Sequence, residues 1–393
     1  MKVLWLASWY PDEYEPTNGD FIQRHAKAVS QLMYVDVIHA AQAGKDFNHL
    51  NKIVLNDDGT LHEAFHYFTY KKTGINLLDK ILYNKAYLNC YKKILDQYIQ
   101  EKGKPDLIHV HVPIKAGIIA LKFFRKLNIP YIVSEHSSLY LKNADDNFYT
   151  RSLFFKHNTK RVFKHAALVT NVSAAIAKVL KEIFDLNDVR IIPNVVDTNH
   201  FKFIPKEKTR IFRWLHVSTM LPLKNVDKII QTFKKISETN TDWELIICGP
   251  INDEYAQLVS DLNLQTKIKF IGEVSYEQVA IEMQKADAFI MFSKHENFPC
   301  VIIEALCCGL PVVASNVGGI SETVNKTNGI LVEANDTDAL QNAIAFLMNN
   351  SEKFNAEKTA ADAVSKYNYQ TVAKQFISVY KEVVLKSSPL ERI

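Results

Sequence analysis

The sequence lacks the features that mark extracellular, membrane-spanning and nucleic-acid-binding proteins. Its 393 residues contain five cysteines, an odd number without a CxxC pair, which is typical of reduced thiols in a cytoplasmic protein. No apolar run approaches the roughly 18 residues of a membrane-spanning helix. The net charge of +4 is small for this length and argues against a dedicated nucleic-acid binder. These absences predict a cytoplasmic globular protein that does not bind nucleic acid.

Common motifs for phosphate and metal binding are absent as well. The chain has no Walker loop and no GxGxxG sequence. Its one DxD sequence, Asp336-Thr337-Asp338, follows the last predicted strand and precedes apolar residues, so it predicts a helix N-cap. This argues against sugar transferases that hold a divalent ion between two aspartates. We predict no metal and no resident cofactor.

Positive charge is concentrated in the first half of the chain. Residues 1–200 contain 26 Lys and Arg against 20 Asp and Glu, whereas residues 201–393 contain 21 against 23. Residues 67–98 are rich in tyrosine and lysine, and residues 151–165 add a second basic group. Two interpretations stay open: peripheral contact with an anionic membrane, or a solvated basic face.

Short apolar runs alternate with helical patterns along the whole chain, which is typical of parallel α/β architecture. The predicted strands of the first half are Val3–Ala7, Val35–Ala40, Leu107–Val112, Tyr131–Ser134, Ala167–Asn171 and Arg190–Pro193. Those of the second half are Trp214–Ser218, Glu244–Gly249, Ile268–Gly272, Ala288–Ser293, Val312–Ser315 and Ile330–Val332. Two sets of six strands predict two Rossmann-like domains.

The pattern of strands and helices breaks at residues 199–208, where we expect the two domains to meet. The predicted domains are 1–203 and 204–371. A last helix, at about 369–385, has no strand after it and suits packing on either domain. In such folds ligands bind at the carboxyl ends of the strands, so the loops directly after strands are the informative ones.

The most informative of these loops lies in residues 293–322. Glu296 follows a predicted strand, and Glu304 lies eight residues later in a helix that begins near Pro299. A carboxylate accepts two hydroxyl hydrogen bonds at once, which suits the diol of a sugar or ribose. The free N–H groups at the start of the helix suit a diphosphate or a sugar hydroxyl. The segment therefore predicts binding of a nucleotide-sugar.

This segment resembles the retaining glycosyltransferases of the GT-B fold, specifically glycosyltransferase family 4. In that family two glutamates separated by seven residues are followed by E-A-x-x-x-G-x-P-V and G-G-x-x-E. Residues Glu304–Val312 and Gly318–Glu322 match these two motifs. Residues Ile192–Asp197 resemble the interdomain P-N-G-V-D motif of the family, with Val195 in place of its glycine.

The resemblance implies an α/β fold of the GT-B type, with two Rossmann-like domains facing a deep cleft. It implies that residues 1–203 bind the acceptor and that residues 204–371 bind the nucleotide-sugar donor. The C-terminal helix is expected to cross back, so that residues 372–393 pack on the N-terminal domain.

The resemblance also implies roles for individual residues. We expect Glu296 to hold the sugar hydroxyls, Glu304 the ribose and Lys224 the diphosphate, while His136 positions the sugar. His109 and His111 end a strand and are candidates to line the cleft. The other expected substrate-binding residues are Gly19, Asp20, Ser218, Thr219, Gly272, Val274, Asn297, Phe298, Pro299, Cys300 and Val301.

The phosphate-binding element departs from the family pattern. The family has G-R-x4-K after the first strand of its second domain, whereas this chain has Ser218 and Thr219 in place of the glycine and arginine and retains Lys224. Either another cation substitutes for the arginine, or the hydroxyl groups of Ser218 and Thr219 take part.

These motifs predict a retaining, metal-independent glycosyltransferase. It would move a sugar from a UDP- or GDP-sugar to a hydroxyl of a glycan or lipid-linked acceptor, in cell-surface polysaccharide or lipopolysaccharide biosynthesis. Two alternatives stay open. One is a sugar-nucleotide epimerase of the GT-B fold, and the other is a catalytically silent nucleotide- or glycan-binding protein, for which the departure at Thr219 is the only support.

Overall fold

The computed structural model describes residues 1–44, 59–142, 144, 146–207 and 209–387, together with the backbone of 51–55. The chain divides into two compact units. The first unit consists of Met1–Val195 and the C-terminal segment from Tyr369, and the second consists of Val196–Asn368. The expected divisions were at 203/204 and 371/372. The observed divisions are at 195/196 and 368/369.

The first unit alternates strands and helices. Its strands are β1 (Val3–Ala7), β2 (Val35–Gln42), β3 (Asn51–Leu55), β4 (Leu61–Phe68), β5 (Leu107–His111), β6 (Tyr131–Glu135), β7 (Leu168–Asn171) and β8 (Arg190–Ile191). Its helices are α1 (Asp20–Ser30), α2 (Asn76–Lys102), α3 (Ala116–Leu127), α4 (Leu153–His165) and α5 (Ala174–Phe184), and the chain returns to this unit with α12 (Tyr369–Ser387).

The first sheet has the order β3-β4-β2-β1-β5-β6-β7-β8 and is parallel except for the antiparallel pair β3–β4. All six predicted strands are present, within a few residues. Strands β3 and β4 are additional, because polar residues interrupt the apolar pattern of Leu61–Phe68, in which His62, Glu63 and His66 alternate with apolar side chains. A buried strand of this composition gives no continuous apolar run.

Helices cover both faces of the first sheet. Alternate side chains of β1 point to opposite faces, so Leu4 and Leu6 join the core under α2, α3 and α4, whereas Val3 and Trp5 join the core under α1 and α12. Helix α12 contributes apolar side chains at helical spacing to the second of these cores, namely Val372, Ala373, Phe376, Val379, Tyr380 and Val383. The C-terminal helix therefore belongs to the N-terminal unit, as expected from the family.

The second unit is a smaller copy of the same architecture. Its strands are β9 (Phe212–Val217), β10 (Trp243–Cys248), β11 (Ile268–Gly272), β12 (Ala288–Met291), β13 (Val312–Ser315) and β14 (Gly329–Val332). Its helices are α6 (Val226–Ile236), α7 (Asp253–Asp261), α8 (Tyr276–Lys285), α9 (Cys300–Cys307), α10 (Thr337–Asn349) and α11 (Ala356–Tyr367). The sheet is parallel, with the order β11-β10-β9-β12-β13-β14.

Local capping predictions hold in the second unit. The Asp336 carboxylate accepts a hydrogen bond from the backbone N–H of Ala339 at 2.8 Å, so the DxD sequence caps α10. The Ser275 hydroxyl accepts a hydrogen bond from the N–H of Gln278 at the start of α8. The Gln278 amide donates to Glu282 one turn further along. Within the described ranges, no helix combines the length and the apolar character needed to cross a bilayer.

Candidate active site

The second sheet reverses its strand order between β9 and β12. The two strands are neighbours, although β10 and β11 lie between them in the chain and extend the sheet on the far side of β9. Such a reversal opens a crevice at the carboxyl ends of the two strands, where ligands bind in open α/β sheets. The loop after β9 carries Lys224, and the loop after β12 carries Glu296.

Lys224 and Glu296 form an ion pair across this crevice. The distance between Lys224 Nζ and Glu296 Oε1 is 2.6 Å, and the two side chains are only 15% and 12% exposed. The backbone N–H of Lys294 donates to the carbonyl of Leu223 at 2.8 Å and holds the two loops together. Glu296 and Lys224, which were predicted to bind the sugar and the phosphate, are thus in direct contact.

Glu304 lies in α9, directly after the Glu296 loop, and is 2% exposed. The helix begins at Cys300, so Pro299 is its N-cap rather than its first residue. Burial and the nearby Glu304 carboxylate raise the pKa of the Cys308 thiol to about 12. Cys308 is therefore protonated and unreactive at neutral pH.

The glycine motif after β13, Gly318-Gly319, packs against the backbone of the Glu296 loop. Gly318 has φ +55°, and a Cβ atom there would come 1.9 Å from the carbonyl oxygen of Glu296. The N–H of Gly319 donates to the carbonyl of Asn297 at 2.7 Å. Glycine is therefore needed at position 318, because the backbone of Glu296 lies directly against it.

The turn that departs from the family pattern is organised by His216. The buried imidazole of His216 has Nδ1 2.9 Å from the carbonyl of Ile290 and Nε2 2.9 Å from the hydroxyl of Ser218. Burial lowers the pKa of His216 to about 4, so the ring is neutral and donates through Nδ1. The Ser218 hydroxyl must then donate to Nε2, which directs its proton away from a ligand. Thr219 is exposed.

The other expected donor-site residues surround the same edge. Gly272 ends β11 with φ +76° and has open space where a Cβ would stand, so its backbone conformation, and not steric crowding, requires glycine. Val274 is half-buried in the loop that follows. Asn297 and Phe298 are buried, and Cys300 and Val301 are partly buried at the start of α9.

Three polar side chains at this edge were not predicted from the sequence. Ser293, His295 and Ser315 are buried at or just beyond the ends of β12 and β13. The two hydroxyl groups and both ring nitrogens of His295 have no hydrogen-bond partner within the described part of the chain. Buried polar atoms without protein partners point to bound water or ligand. The sequence signal was their position at the end of a predicted strand (Ser293 and Ser315) or directly after one (His295).

In the first unit, Gly19 and Asp20 form the start of α1. Gly19 has φ +71°, and a Cβ there would come 2.7 Å from the backbone carbon of Trp9. The expected reason for this glycine was close approach to a ligand, whereas the contact observed is with the chain itself. The Asp20 carboxylate pairs with Arg24 at 2.8 Å and accepts from the N–H of Phe21.

His136, directly after β6, belongs to a cluster of four histidines with His25 of α1 and with His109 and His111 of β5. Its Nε2 lies 3.2 Å from Nδ1 of His111, and the two rings are stacked. His109 stands between the hydroxyl groups of Tyr380 and Ser134, at 2.8 and 2.7 Å. Burial lowers the pKa of His109, His111 and His136 well below its usual value, so all three rings are neutral at neutral pH.

A buried carboxylate shapes the turn that carries His136. Glu135 accepts hydrogen bonds from the N–H groups of His136 and Ser137 and from the hydroxyl of Tyr140, each at 2.7 Å. Burial raises the pKa of Glu135 to about 7, although these hydrogen bonds oppose the shift. Glu135 therefore holds the backbone of the turn instead of facing a substrate.

Acidic, histidine and cysteine side chains do not gather into a metal site in the described residues. No group of three or more such side chains with metal-binding geometry occurs there. His109 and His111 have their rings in contact, with centroids 4.0 Å apart, but they pack against Trp5 and Tyr380.

Two family models match the chain, one in each half. The model described as Glycosyltransferase Family 4 matches residues 37–200, and the model described as Glycosyl transferases group 1 matches residues 196–364. The chain belongs to the family 4 glycosyltransferases. The enzyme is therefore a glycosyltransferase, and the two models meet close to the division between its two units.

Related proteins have low sequence identity to the enzyme, but they align with it over most of its length. An uncharacterized glycosyltransferase of Methanocaldococcus jannaschii is 28% identical, over 75% of this chain and 80% of its own. The "Putative teichuronic acid biosynthesis glycosyltransferase TuaC" of Bacillus subtilis is 25% identical, over 96% of this chain and 95% of its own. The relatives of the enzyme thus include one assigned to the synthesis of a cell-surface polysaccharide.

Solved structures share the GT-B fold of the enzyme. Sucrose-phosphate synthase from Thermosynechococcus elongatus matches with a TM-score of 0.80 at 19% identity, covering 98% of this chain and all of the other. Anabaena HepE, solved in complex with UDP-glucose, matches with a TM-score of 0.73 at 18% identity, covering 97% of this chain and all of the other. These likenesses establish the fold.

Proposed function

We propose that the enzyme is a retaining, metal-independent transferase that uses a nucleotide-diphosphate sugar, UDP- or GDP-linked, as donor. The observation that carries this proposal is the Lys224–Glu296 ion pair at the reversal point of the second sheet. A cation for a diphosphate and a carboxylate for sugar hydroxyls stand within hydrogen-bond distance of each other there. The likeness to a UDP-glucose complex supports a nucleotide-sugar donor.

In this proposal the donor occupies the carboxyl edge of the second sheet. Glu304 accepts hydrogen bonds from the ribose hydroxyls, and Glu296 accepts them from the sugar. Lys224 and the N–H groups at the start of α9 bind the diphosphate. The partnerless polar atoms of Ser293, His295 and Ser315 would complete the polar surface of this site.

The proposed reaction keeps the anomeric configuration of the sugar. The acceptor hydroxyl attacks the anomeric carbon from the face of the leaving group, and the bond from that carbon to the phosphate oxygen breaks. The acceptor proton passes to the phosphate oxygen, and the nucleoside diphosphate leaves. Lys224 stabilises the negative charge that develops on the phosphate, and stabilisation of this kind is usually the largest single contribution to catalysis.

The neutral His136 suits a positioning role in this proposal. A ring with a strongly lowered pKa does not act as a cation, and it forms directional hydrogen bonds to a sugar hydroxyl. The acceptor is a hydroxyl of a glycan or of a lipid-linked sugar, bound by the first unit. We further propose peripheral contact of the basic first unit with an anionic membrane, and a role in cell-surface polysaccharide or lipopolysaccharide synthesis.

The test is turnover of a panel of UDP-, GDP- and ADP-sugars, with and without candidate acceptors and in the presence of EDTA. We expect one donor to release its nucleotide, and NMR of the product to show retained anomeric configuration. Glu296→Gln should abolish turnover. Glu244→Gln is the matched control, because Glu244 forms a 2.8 Å ion pair with Lys269 at the opposite edge of the same sheet.

Other outcomes separate the alternatives. An altered sugar configuration in the absence of acceptor would indicate an epimerase. Thermal stabilisation by a nucleotide without turnover of any donor would indicate a silent binding protein, the alternative that the departure at Thr219 favours. Loss of activity in EDTA that Mg²⁺ restores would contradict metal independence.

A further inference from the structure

The start of α2 presents apolar side chains to solvent. All eight residues from Lys71 to Leu78 are exposed. The exposed aliphatic side chains are Ile75, Leu77, Leu78 and Ile81, at 57%, 69%, 44% and 54%. Isolated exposed apolar residues need no explanation, but four within seven residues form a contiguous patch, which is typical of an interaction surface. We call these four residues the Ile75 surface.

The helical geometry brings these side chains to one side. Leu77, Leu78 and Ile81 lie within about 100° of one another around the first two turns of α2, and Ile75 is the extended N-cap residue that directly precedes the helix. Further along α2 the pattern changes, and Tyr87, Tyr91 and Leu95 are buried in the core of the first unit. The first two turns of α2 therefore extend beyond the part of the helix that the fold requires.

The Ile75 surface lies at the edge of the sheet that carries the histidine cluster. Helix α2 follows β4, and Lys115, which directly precedes α3 after β5, has its Nζ 3.8 Å from the ring centroid of Tyr83 in α2. The start of α2 is thus next to the carboxyl end of β5, where His111 lies. This is the edge of the first unit at which the proposed acceptor would bind.

Positive charge surrounds the Ile75 surface. Lys71, Lys72, Lys80 and Lys85 are all exposed, whereas residues 70–86 contain a single acidic residue, Asp79. The Asp79 carboxylate accepts hydrogen bonds from the N–H and hydroxyl of Thr73 and from the N–H of Gly74. It is therefore directed to the loop before the helix. Aliphatic side chains bordered by lysines are complementary to the anionic headgroups and acyl boundary of a bilayer.

We propose that the Ile75 surface inserts into the interfacial region of an anionic membrane and brings the first unit to a lipid-linked acceptor. This inference rests on the membrane contact put forward under the proposed function and gives it a location; the contact does not depend on turnover, whereas delivery to an acceptor also requires the proposed transferase activity. Because no described helix can cross a bilayer, the contact is peripheral. The basic composition of the first unit predicts a membrane contact without giving its location, and the Ile75 surface provides that location.

A second exposed group, at the start of α4, is the natural comparison. Leu153 and Phe154 are exposed there beside basic residues. However, Arg151 pairs with Asp146, and Lys156 donates to the backbone carbonyl of Tyr149 at 2.5 Å. Arg151 and Lys156 therefore already have partners within the protein, whereas the four lysines around the Ile75 surface, like Lys160 and Lys164 of α4, are exposed.

The experiment is flotation of the full-length enzyme with vesicles of phosphatidylcholine alone or with 30 mol% phosphatidylglycerol, on the order of the anionic content that gives a cell membrane its surface potential. We expect binding to the anionic vesicles only, weakened by salt. Leu77→Ser should weaken the partitioning about tenfold, since one buried leucine side chain is lost. Leu385→Ser is the matched control, because Leu385 is exposed to a similar extent, 62%, on α12 of the same unit.

The outcomes are distinct. Unchanged binding by Leu77→Ser and by a Leu77→Ser, Ile81→Ser double variant overturns the proposal, and loss of binding in Leu153→Ser, Phe154→Ser would transfer the contact to α4. Failure of wild-type enzyme to bind either vesicle also overturns it. Donor hydrolysis without acceptor, measured in the same samples, should be equal in wild type and Leu77→Ser. If vesicles bind but no donor turns over, the proposed function fails and the membrane surface stands.

Discussion

Lys224 and Glu296 lie 2.6 Å apart at the reversal point of the second sheet, although 72 residues separate them in the chain. Their loops follow strands that become neighbours only because β10 and β11 lie on the other side of β9. In the free enzyme each charge neutralises the other in a site that is largely closed to water. In the proposed mode of donor binding, a phosphate would take the place of Glu296 on Lys224, and sugar hydroxyls would take the place of Lys224 on Glu296.

The ion pair predicts opposite effects of two substitutions on the binding of UDP or GDP, which lack the sugar. Lys224→Met removes a charged donor and leaves Glu296 uncompensated, so the dissociation constant of the preferred nucleotide should rise about ten- to a hundredfold. Glu296→Gln leaves Lys224 free for the phosphate, and affinity should be unchanged or higher, while turnover of the nucleotide-sugar falls. Isothermal titration calorimetry measures both affinities. Equal weakening by the two substitutions would show that Glu296 does not face the sugar.

Gly318 predicts a steric test of the Glu296 loop. Gly318→Ala places a methyl group where the Glu296 carbonyl stands, so the loop must move, and turnover should fall at least tenfold with loss of stability. Gly59→Ala, outside the candidate site, is the matched control: its φ is also positive but its Cβ meets open space, so only a strain of about 1–2 kcal/mol remains. Thermal unfolding and steady-state kinetics distinguish the two. Similar turnover losses would mean that strain alone is responsible.

Lys294 is a candidate to replace the missing arginine of the family pattern. Its backbone is hydrogen-bonded to Leu223, next to Lys224, and its side chain is exposed. Since the Ser218 hydroxyl is directed to His216, we expect Lys294 to bind the diphosphate. Lys294→Ala should raise the KM for the donor about tenfold, an effect that Lys235→Ala on α6 should not reproduce. An unchanged KM would leave the phosphate to Lys224 and backbone N–H groups.

His111 predicts a positioning effect on His136. His111 Nε2 is buried without a partner within the described residues, so a proton is better placed on Nδ1, which donates to His136 Nε2. His111→Phe should lower kcat about tenfold, on the order of one lost hydrogen bond. His111→Asn, whose amide can donate from nearly the same position, should restore most of it. Loss of activity in both variants, with unchanged thermal stability, would contradict this assignment.

The buried histidines predict that the first unit loses stability in acid. Burial lowers the pKa of His25 to about 4 and those of His109, His111 and His136 well below 6.5. Because the unfolded chain binds these protons near pH 6.5 and the folded unit does not, the stabilisation is complete above pH 6.5 and is lost as the pH falls. As the pH falls below 6.5, each of these rings lowers the free energy of unfolding by up to about 1.4 kcal/mol per pH unit.

Glu135 opposes this trend at higher pH. Its pKa of about 7 exceeds that of an unfolded glutamate, so its contribution is present below about pH 4.5 and is lost as the pH rises through 7. Four histidines outweigh one carboxyl. Hydrogen exchange of peptides from β5 and α12 should therefore accelerate between pH 6.5 and 5.5, corrected for intrinsic rates. His157→Gln, at an exposed position, should leave this dependence unchanged, and a flat profile in wild type would refute the prediction.

Local patterns account for most of what could be predicted. Every predicted strand is present, and the helix N-cap at Asp336 is as expected, because apolar periodicity and capping chemistry act over a few residues. Strand β4 was missed since its buried face includes Glu63, which is hydrogen-bonded to Tyr10 and Gln23 from distant segments. A buried polar residue is satisfied by partners that sequence spacing does not reveal.

The sequence by itself determined two α/β units, the family of the enzyme, and the loops that carry its candidate residues. Only the tertiary structure decided that Lys224 meets Glu296, that Gly318 supports the Glu296 backbone, and that Ser218 faces His216. It also brought His25 and His109 into contact with Phe376 of α12 and left the start of α2 exposed. Strand order causes this difference: hydrophobic patterning defines each strand, whereas the neighbour of each strand depends on packing between residues far apart in the chain.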